Sequence, residues 1–316
     1  MVICAAIEEP VTILSSLTRP DTWTGDWIQL PLDTDVEPVD PTVGDGFHWA
    51  PLDSPGLSER MTVLSSWIRR ARPSVLVVDI SVEITVFTRL HGVRVVTFAQ
   101  PGQRTDAAHT LGYRASSAII APWPRSISPS TVDPAVEDRF DYVGAISRLA
   151  VTAGLPRHSN QVAILNGTGG RGASALDVFV DQCVSAAPNI EWIRLESASS
   201  AAVERTLRES TLVLAHCGQN VVAEIAACRT PAIFVPEDRP HGEQHALGRA
   251  LKASSLPVIV SSSTDDRPRT SLIAMALGLN GNAWSEWVTG KEASRAATII
   301  ENIAARASAN GQLAAS

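Results

Sequence analysis

The sequence predicts an α/β protein made of two doubly wound domains that face each other. Short, continuously apolar runs alternate with segments of helical periodicity, the pattern of a parallel sheet covered on both faces. The alternation comes as two separate runs, divided near "FDYVGAISR" (140–148). At 316 residues the chain is long enough for two cores of ordinary size. The expected domains are 1–143 and 144–316.

The elements follow in order. "VTILSS" (11–16) is a short β-branched strand, and the Pro- and Asp-rich stretch from Arg19 to about Pro55 is a long, partly irregular connection. "LSERMTVLSSWIRRARP" (57–73) has apolar residues at helical spacing and ends at a proline. "SVLVVDI" is a buried strand, "SVEITVFTRLHG" a helix closing on glycine, and "VRVVTFAQ" and "SSAIIAPWP" are further strands around another helical segment. The second run is cleaner. Strands read at "QVAILN", "IEWIRL", "TLVLAH", "AIFVPE" and "PVIVSS", with helical patterns between them. Two more helical patterns close the chain, the last being "KEASRAATIIENIAARAS" (291–308), and the Ala/Ser-rich tail is expected to fray.

Composition narrows the function. The chain is 45% apolar and 19% charged, as soluble globular proteins are, and no run approaches the ~18 apolar residues of a membrane span. The start "MVICAAIEEP" lacks the basic flank and cleavage-like site of a signal peptide, so the expected location is the cytoplasm, with a peripheral place at the inner membrane face as the alternative. A net charge of −7 argues against a nucleic-acid surface. Cys4, Cys183, Cys217 and Cys228 have no metal-ligand spacing, and Asp265-Asp266 reads as a solvated turn, so no residue is assigned to a metal.

In doubly wound sheets, ligands bind beyond the carboxyl ends of the strands. After "QVAILN" comes "GTGGRGAS" (167–174), which is either a plain strand–helix turn or, through Gly167, Thr168, Gly169 and Gly170, a backbone cradle for an anion. No lysine follows it, which excludes a P-loop. After "TLVLA" comes His216, with Cys217 and Gly218 opening a helix. The N–H groups of Gly218, Gln219 and Asn220 form a second anion cradle, to which His216 could donate, unless it is a satisfied core histidine. Glu224, two turns on, is either a solvated helix residue or an acceptor for a ribose diol. Glu243 and Gln244 open the helix after "AIFVPEDRPHG" and suit sugar hydroxyls, the alternative being a charge that complements the helix dipole.

The stretch 216–244, "HCGQNVVAEIAACRTPAIFVPEDRPHGEQ", resembles the donor-sugar-nucleotide signature of GT-B glycosyltransferases, the group of the UDP-glycosyltransferases and MurG-like transferases. The matching positions are His216-Cys217-Gly218-Gln219-Asn220, Glu224, Pro231, Pro236 and Glu243-Gln244. The resemblance implies two Rossmann-like domains facing across a cleft. It also implies that the His-x-Gly helix start holds the diphosphate, Glu224 the ribose, Glu243-Gln244 the donor sugar, and the 167–170 loop the diphosphate from the other side. Gln219 replaces an aromatic residue of the plant-type signature and Glu243 an aspartate. Such enzymes begin with a strand, a Gly-rich loop and a histidine. Here "MVICAAIEEPVTILSS" looks like the end of a first helix followed by the second strand, as though the chain starts late, and the usual base has no counterpart.

Two amino-terminal features are candidates to compensate. Asp79 ends "SVLVVD", and Gln103, Arg104, Asp106 and His109 cluster in "PGQRTDAAH", both at carboxyl ends of strands. His109 or Asp106 could take a proton from an acceptor hydroxyl, with Asp79 and Arg104 on the acceptor side; the alternative is a structural loop in which Asp106 caps a helix. The expected function is inverting, metal-independent transfer of a hexose-type sugar from a nucleoside-diphosphate sugar, UDP-linked, to an unidentified small-molecule, glycan or lipid-linked acceptor. The nucleotide sugar is a co-substrate, and no cofactor is expected. A hydrolase or epimerase of the same fold, and a degenerate nucleotide-sugar-binding protein, are the alternatives.

Overall fold

The computed structural model describes residues 1–34, 36–151, 157–165, 174–196 and 199–314. In the amino-terminal half, β1 (Thr12–Ser15) and β2 (Asp26–Gln29) form a parallel pair of their own, Thr12 opposite Asp26. Next come α1 (Pro55–Ala71), β3 (Val75–Val78), α2 (Val82–Leu90), β4 (Arg94–Phe98), β5 (Gly102–Arg104), α3 (Ala107–Ala115), β6 (Ala118–Ala121), β7 (Ser130–Val132) and β8 (Phe140–Tyr142). Strands β3, β4, β6 and β8 make a parallel sheet in that order, and β5 pairs with β7 beside it. The central strand β6 is buried at all four positions, which is why its sequence is unbroken Ala-Ile-Ile-Ala.

The carboxyl-terminal half runs β9 (His158–Leu165), α4 (Ala175–Ala186), β10 (Glu191–Arg194), α5 (Ser200–Glu209), β11 (Ser210–His216), α6 (Gln219–Ala227), β12 (Ala232–Val235), α7 (Glu243–Lys252), β13 (Val258–Val260), α8 (Arg269–Leu277) and α9 (Glu292–Ala314). The five strands among its described residues are all parallel, in the order β10-β9-β11-β12-β13. Local chemistry sets the helix starts. Ser54 accepts from Leu57 N–H ahead of Pro55, and Ser174 and Asp177 form a reciprocal capping box.

The structure adds to the sequence reading in three places. The partly irregular stretch 19–55 holds β2, and side chains pin its turns. Arg60 donates to Pro31 O and to Asp33 at 2.6 Å, and Glu83 accepts from the N–H groups of His48 and Trp49 at 2.7 and 3.0 Å. Strands β5 and β7, three residues each, are too short to leave a periodic signal. The tail continues as helix to Ala314.

Helix α9 crosses back to the first sheet. Ala296, Ile300 and Ile303 pack with Val96, Ala118, Ile120 and Val143. Its start is fixed by Glu292, 3% exposed, which accepts from Thr289 N, Thr289 Oγ1 and Gly290 N at 2.6, 2.6 and 2.8 Å. A larger apolar cluster also joins the halves, running from Ile119, Trp123 and Phe140 through Ala145 and Leu149 to Val213, Phe234 and Trp287.

Candidate active site

The carboxyl end of β4 leads into β5 and then α3, and this short path sets a compact polar group. Asp106 is the N-cap of α3, accepting from His109 N–H at 3.0 Å, and the same carboxylate takes His109 Nδ1 at 2.6 Å. On the other side of the ring, Arg104 Nη1 lies 3.1 Å from His109 Nε2. A neutral imidazole with its proton on Nδ1 satisfies both partners. Arg104 is 5% exposed and donates twice to Pro101 O.

His48, delivered by the pinned 19–55 stretch, places Nε2 3.2 Å from Asp106 Oδ1, with its ring centroid 4.2 Å from that of His109. His241 comes from the other half, on the loop between β12 and α7, with Nδ1 3.9 Å from Asp106 Oδ2. It holds a left-handed backbone, φ +58°, followed by Gly242 at +61°. Gly102, φ +104°, packs against this loop, where a Cβ would collide with the His241 carbonyl.

Burial pushes the His109 imidazole down to about 4, against the pull of Asp106. Burial would raise the Asp106 carboxyl, but hydrogen bonds from the His109 backbone and ring and from His48 outweigh it and hold the acid below the usual carboxylate range. His241 is lowered by burial and then by Arg104. The group is therefore an ionised carboxylate ringed by histidines.

A second polar group is built at the carboxyl ends of β11 and β12. His216 Nδ1 accepts from Gly218 N–H at 3.1 Å, which leaves Nε2–H as the ring's donor. A Cβ on Gly218 would lie 2.6 Å from His216 Cε1, so the ring lies across the helix start because that residue is glycine. Burial lowers the His216 imidazole and keeps it neutral. Gln219, half-buried, and Asn220, exposed, carry the first-turn N–H groups that lack intrahelical partners. Glu224 is held by Arg148, a two-pronged pair at 2.6 and 3.1 Å.

Cys217 and Gln244 sit deeper than a ligand contact requires. Cys217 is 1% exposed and gives its N–H to Gln244 Oε1 at 3.1 Å, and Gln244, 3% exposed, also takes Glu237 N–H at 3.0 Å. Glu243 faces the other half, 3.6 Å from Arg104 Nη2. The 167–170 loop lies outside the described residues.

No family model matches the chain, and no curated protein matches it. Among solved structures it is similar to the spinosyn forosaminyltransferase SpnP, at TM-score 0.61 and 12% identity over 89% of this chain and 86% of that one. It is also similar to the MurG of Acinetobacter baumannii, at TM-score 0.55 and 12% identity over 88% and 85% of the two chains. The spinosyn rhamnosyltransferase SpnG complexed with thymidine diphosphate gives 0.53 and 18% over 78% and 77%. The chain has the GT-B fold.

In this GT-B chain, Arg104, Asp106 and His109 do come together, and Glu243 joins them from the second half. Asp79, exposed at the end of β3, has no hydrogen bond or ion pair to that group among the described residues. His48, His241 and Arg148 were missed. His48 lies in a stretch without periodicity and Arg148 in a linker, so neither carried a signal. His241 stood inside the 216–244 stretch, two residues before Glu243, at a strand's carboxyl end, and that position could have found it. No helix among the described residues is long and apolar enough to cross a membrane.

Proposed function

We propose that this GT-B chain transfers a hexose-type sugar from a UDP-linked donor to an acceptor hydroxyl, with inversion and without a metal in the chemical step. The observation that carries the reading is the helix start of α6. There a neutral His216, whose Nε2–H has no partner among the described residues, lies across the first-turn N–H groups at the carboxyl end of β11, with Glu224 further along the same helix. Fixed donors of this kind favour the diphosphate as it gains charge on leaving. Glu224 keeps lone pairs for a ribose diol beside those that Arg148 uses. Gly167, Thr168, Gly169 and Gly170 are assigned to the same diphosphate by the sequence resemblance.

His109 has both ring nitrogens engaged, so the role of base passes to His48. With Nε2–H donated to Asp106, its Nδ1 has no hydrogen-bond partner among the described residues and can accept the acceptor's proton. Asp106 orients His48 and steadies its charged form, while His109, itself faced by Arg104, holds Asp106 in place. Attack of the deprotonated oxygen on the anomeric carbon expels the nucleoside diphosphate in one displacement, which inverts that centre.

The test is incubation with a panel of UDP- and TDP-sugars, with and without hydroxyl acceptors, reading free nucleotide, free sugar and glycoside. Glycoside formation is expected, together with binding of UDP that Glu224→Gln weakens roughly tenfold or more. Unchanged UDP affinity in Glu224→Gln would remove the ribose assignment. Free sugar without acceptor would make the enzyme a hydrolase, and binding without turnover would make it a binding protein.

A further inference from the structure

Three of the chain's seven histidines, His48, His109 and His241, offer ring nitrogens that all lie within 4.8 Å of one another. They arrive from distant parts of the sequence, and the third comes from the opposite half of the molecule. Their ring centroids are 4.2, 4.8 and 5.5 Å apart, and Asp106 lies against all three. Imidazole nitrogens around a carboxylate are the ligand set that zinc-class ions take up. The expectation of no metal rested on cysteine spacing and on Asp265-Asp266, neither of which bears on these residues.

We propose that His48, His241 and Asp106 form a binding site for a divalent transition metal of the zinc class, which bridges the two halves of the chain. The ligand atoms would be His48 Nε2, His241 Nδ1 and an oxygen of Asp106. Zinc bonds of 2.0–2.2 Å set tetrahedral ligand atoms about 3.3 Å apart. His48 Nε2 stands 3.2 Å from Asp106 Oδ1 and His241 Nδ1 stands 3.9 Å from the other oxygen, Oδ2, so the two histidines face the two oxygens of one carboxylate and the His241 ring has to move inward to share an ion with His48.

His109 is not a ligand. Its Nδ1–H is given to Asp106 and its Nε2 faces an Arg104 donor, so it has no lone pair to spare. Its place is behind the metal, orienting the carboxylate as outer histidine–carboxylate pairs do. Among the described residues, the Arg104 guanidinium is the fixed cation that touches this group, through His109, and Glu243 at 3.6 Å balances it. Adding a dication to Asp106, Glu243 and Arg104 leaves a modest net charge. Three protein ligands leave a fourth position for water, on the side where His48 and His241 are half exposed.

The inference does not depend on transferase activity. The ion would occupy Asp106 and the His48 nitrogen that faces it, so the transfer proposed above belongs to the metal-free chain, and zinc would suppress it.

The experiment is equilibrium dialysis of the full chain, free of affinity tags, against Zn²⁺ with metal analysis, repeated by thermal shift. The wild-type chain is expected to retain one zinc and to melt higher with it, because binding favours the folded state that assembles the three ligands. His48→Ala and His241→Asn should each weaken binding at least tenfold and abolish the thermal shift. Asparagine suits the left-handed backbone at 241, so this variant should fold normally. His109→Ala should weaken binding less than either ligand change, and His91→Ala, on the far surface of α1 and α2, should leave it intact. Zinc binding unchanged in His241→Asn, zinc lost in His91→Ala, or no retained zinc at all would each overturn the site, whatever the transferase assays give.

Discussion

Gln244 is 3% exposed, and its Oε1 ties together two loops by accepting from Cys217 N–H and Glu237 N–H. Removing it leaves one buried donor and one half-buried donor unpaired, the buried one worth about 1–3 kcal/mol. Gln244→Ala should therefore destabilise the fold by about 2 kcal/mol or more in urea titration and weaken UDP binding too, since the α6 start loses its brace. A loss of sugar selectivity alone, at full stability, would return Gln244 to the substrate. His216 makes a second residue-scale case. Burial lowers its pKa from 6.5 in the folded chain, so below about that pH the unfolded chain binds a proton that the native chain refuses. Its contribution to stability is thus lost as pH falls from about 6.5. His216→Asn should flatten that part of the stability–pH curve; an unchanged slope would show that the ring is not held neutral.

At the level of elements, α9 belongs by sequence to the second half and by packing to the first. Ile300, 3% exposed, lies among Val96, Ala118, Ile120 and Val143. Ile300→Ala should cost about 2–4 kcal/mol, the usual range for deleting a buried aliphatic side chain. Hydrogen exchange should show the loss in β4 and β6 as well as in α9. Protection falling only in α8 and α9 would mean that the helix merely rests on the sheet.

For the whole molecule, the halves share the larger apolar cluster, the Arg104–Glu243 pair and the close approach of Gly102 to the His241 loop. These ties, together with α9, make independent unfolding expensive. Scanning calorimetry should give a single transition whose calorimetric and van't Hoff enthalpies agree. Two resolved transitions would show that the shared cluster does not couple the halves.

The doubly wound architecture could be read from the chain because burial on both faces forces unbroken apolar strands, as in "AIIA" and "TLVLAH", and intervening helices keep their own period. The polar group at the start of α6 was legible for a related reason: His216, Gly218 and Glu224 lie within nine residues, on one strand end and one helix. Tertiary structure alone decided that Gln244 turns inward, that Arg148 holds Glu224, and that His48 and His241 converge on Asp106. Those are contacts between residues far apart in sequence, set by how loops of the two halves pack, and side-chain periodicity carries no record of such distances.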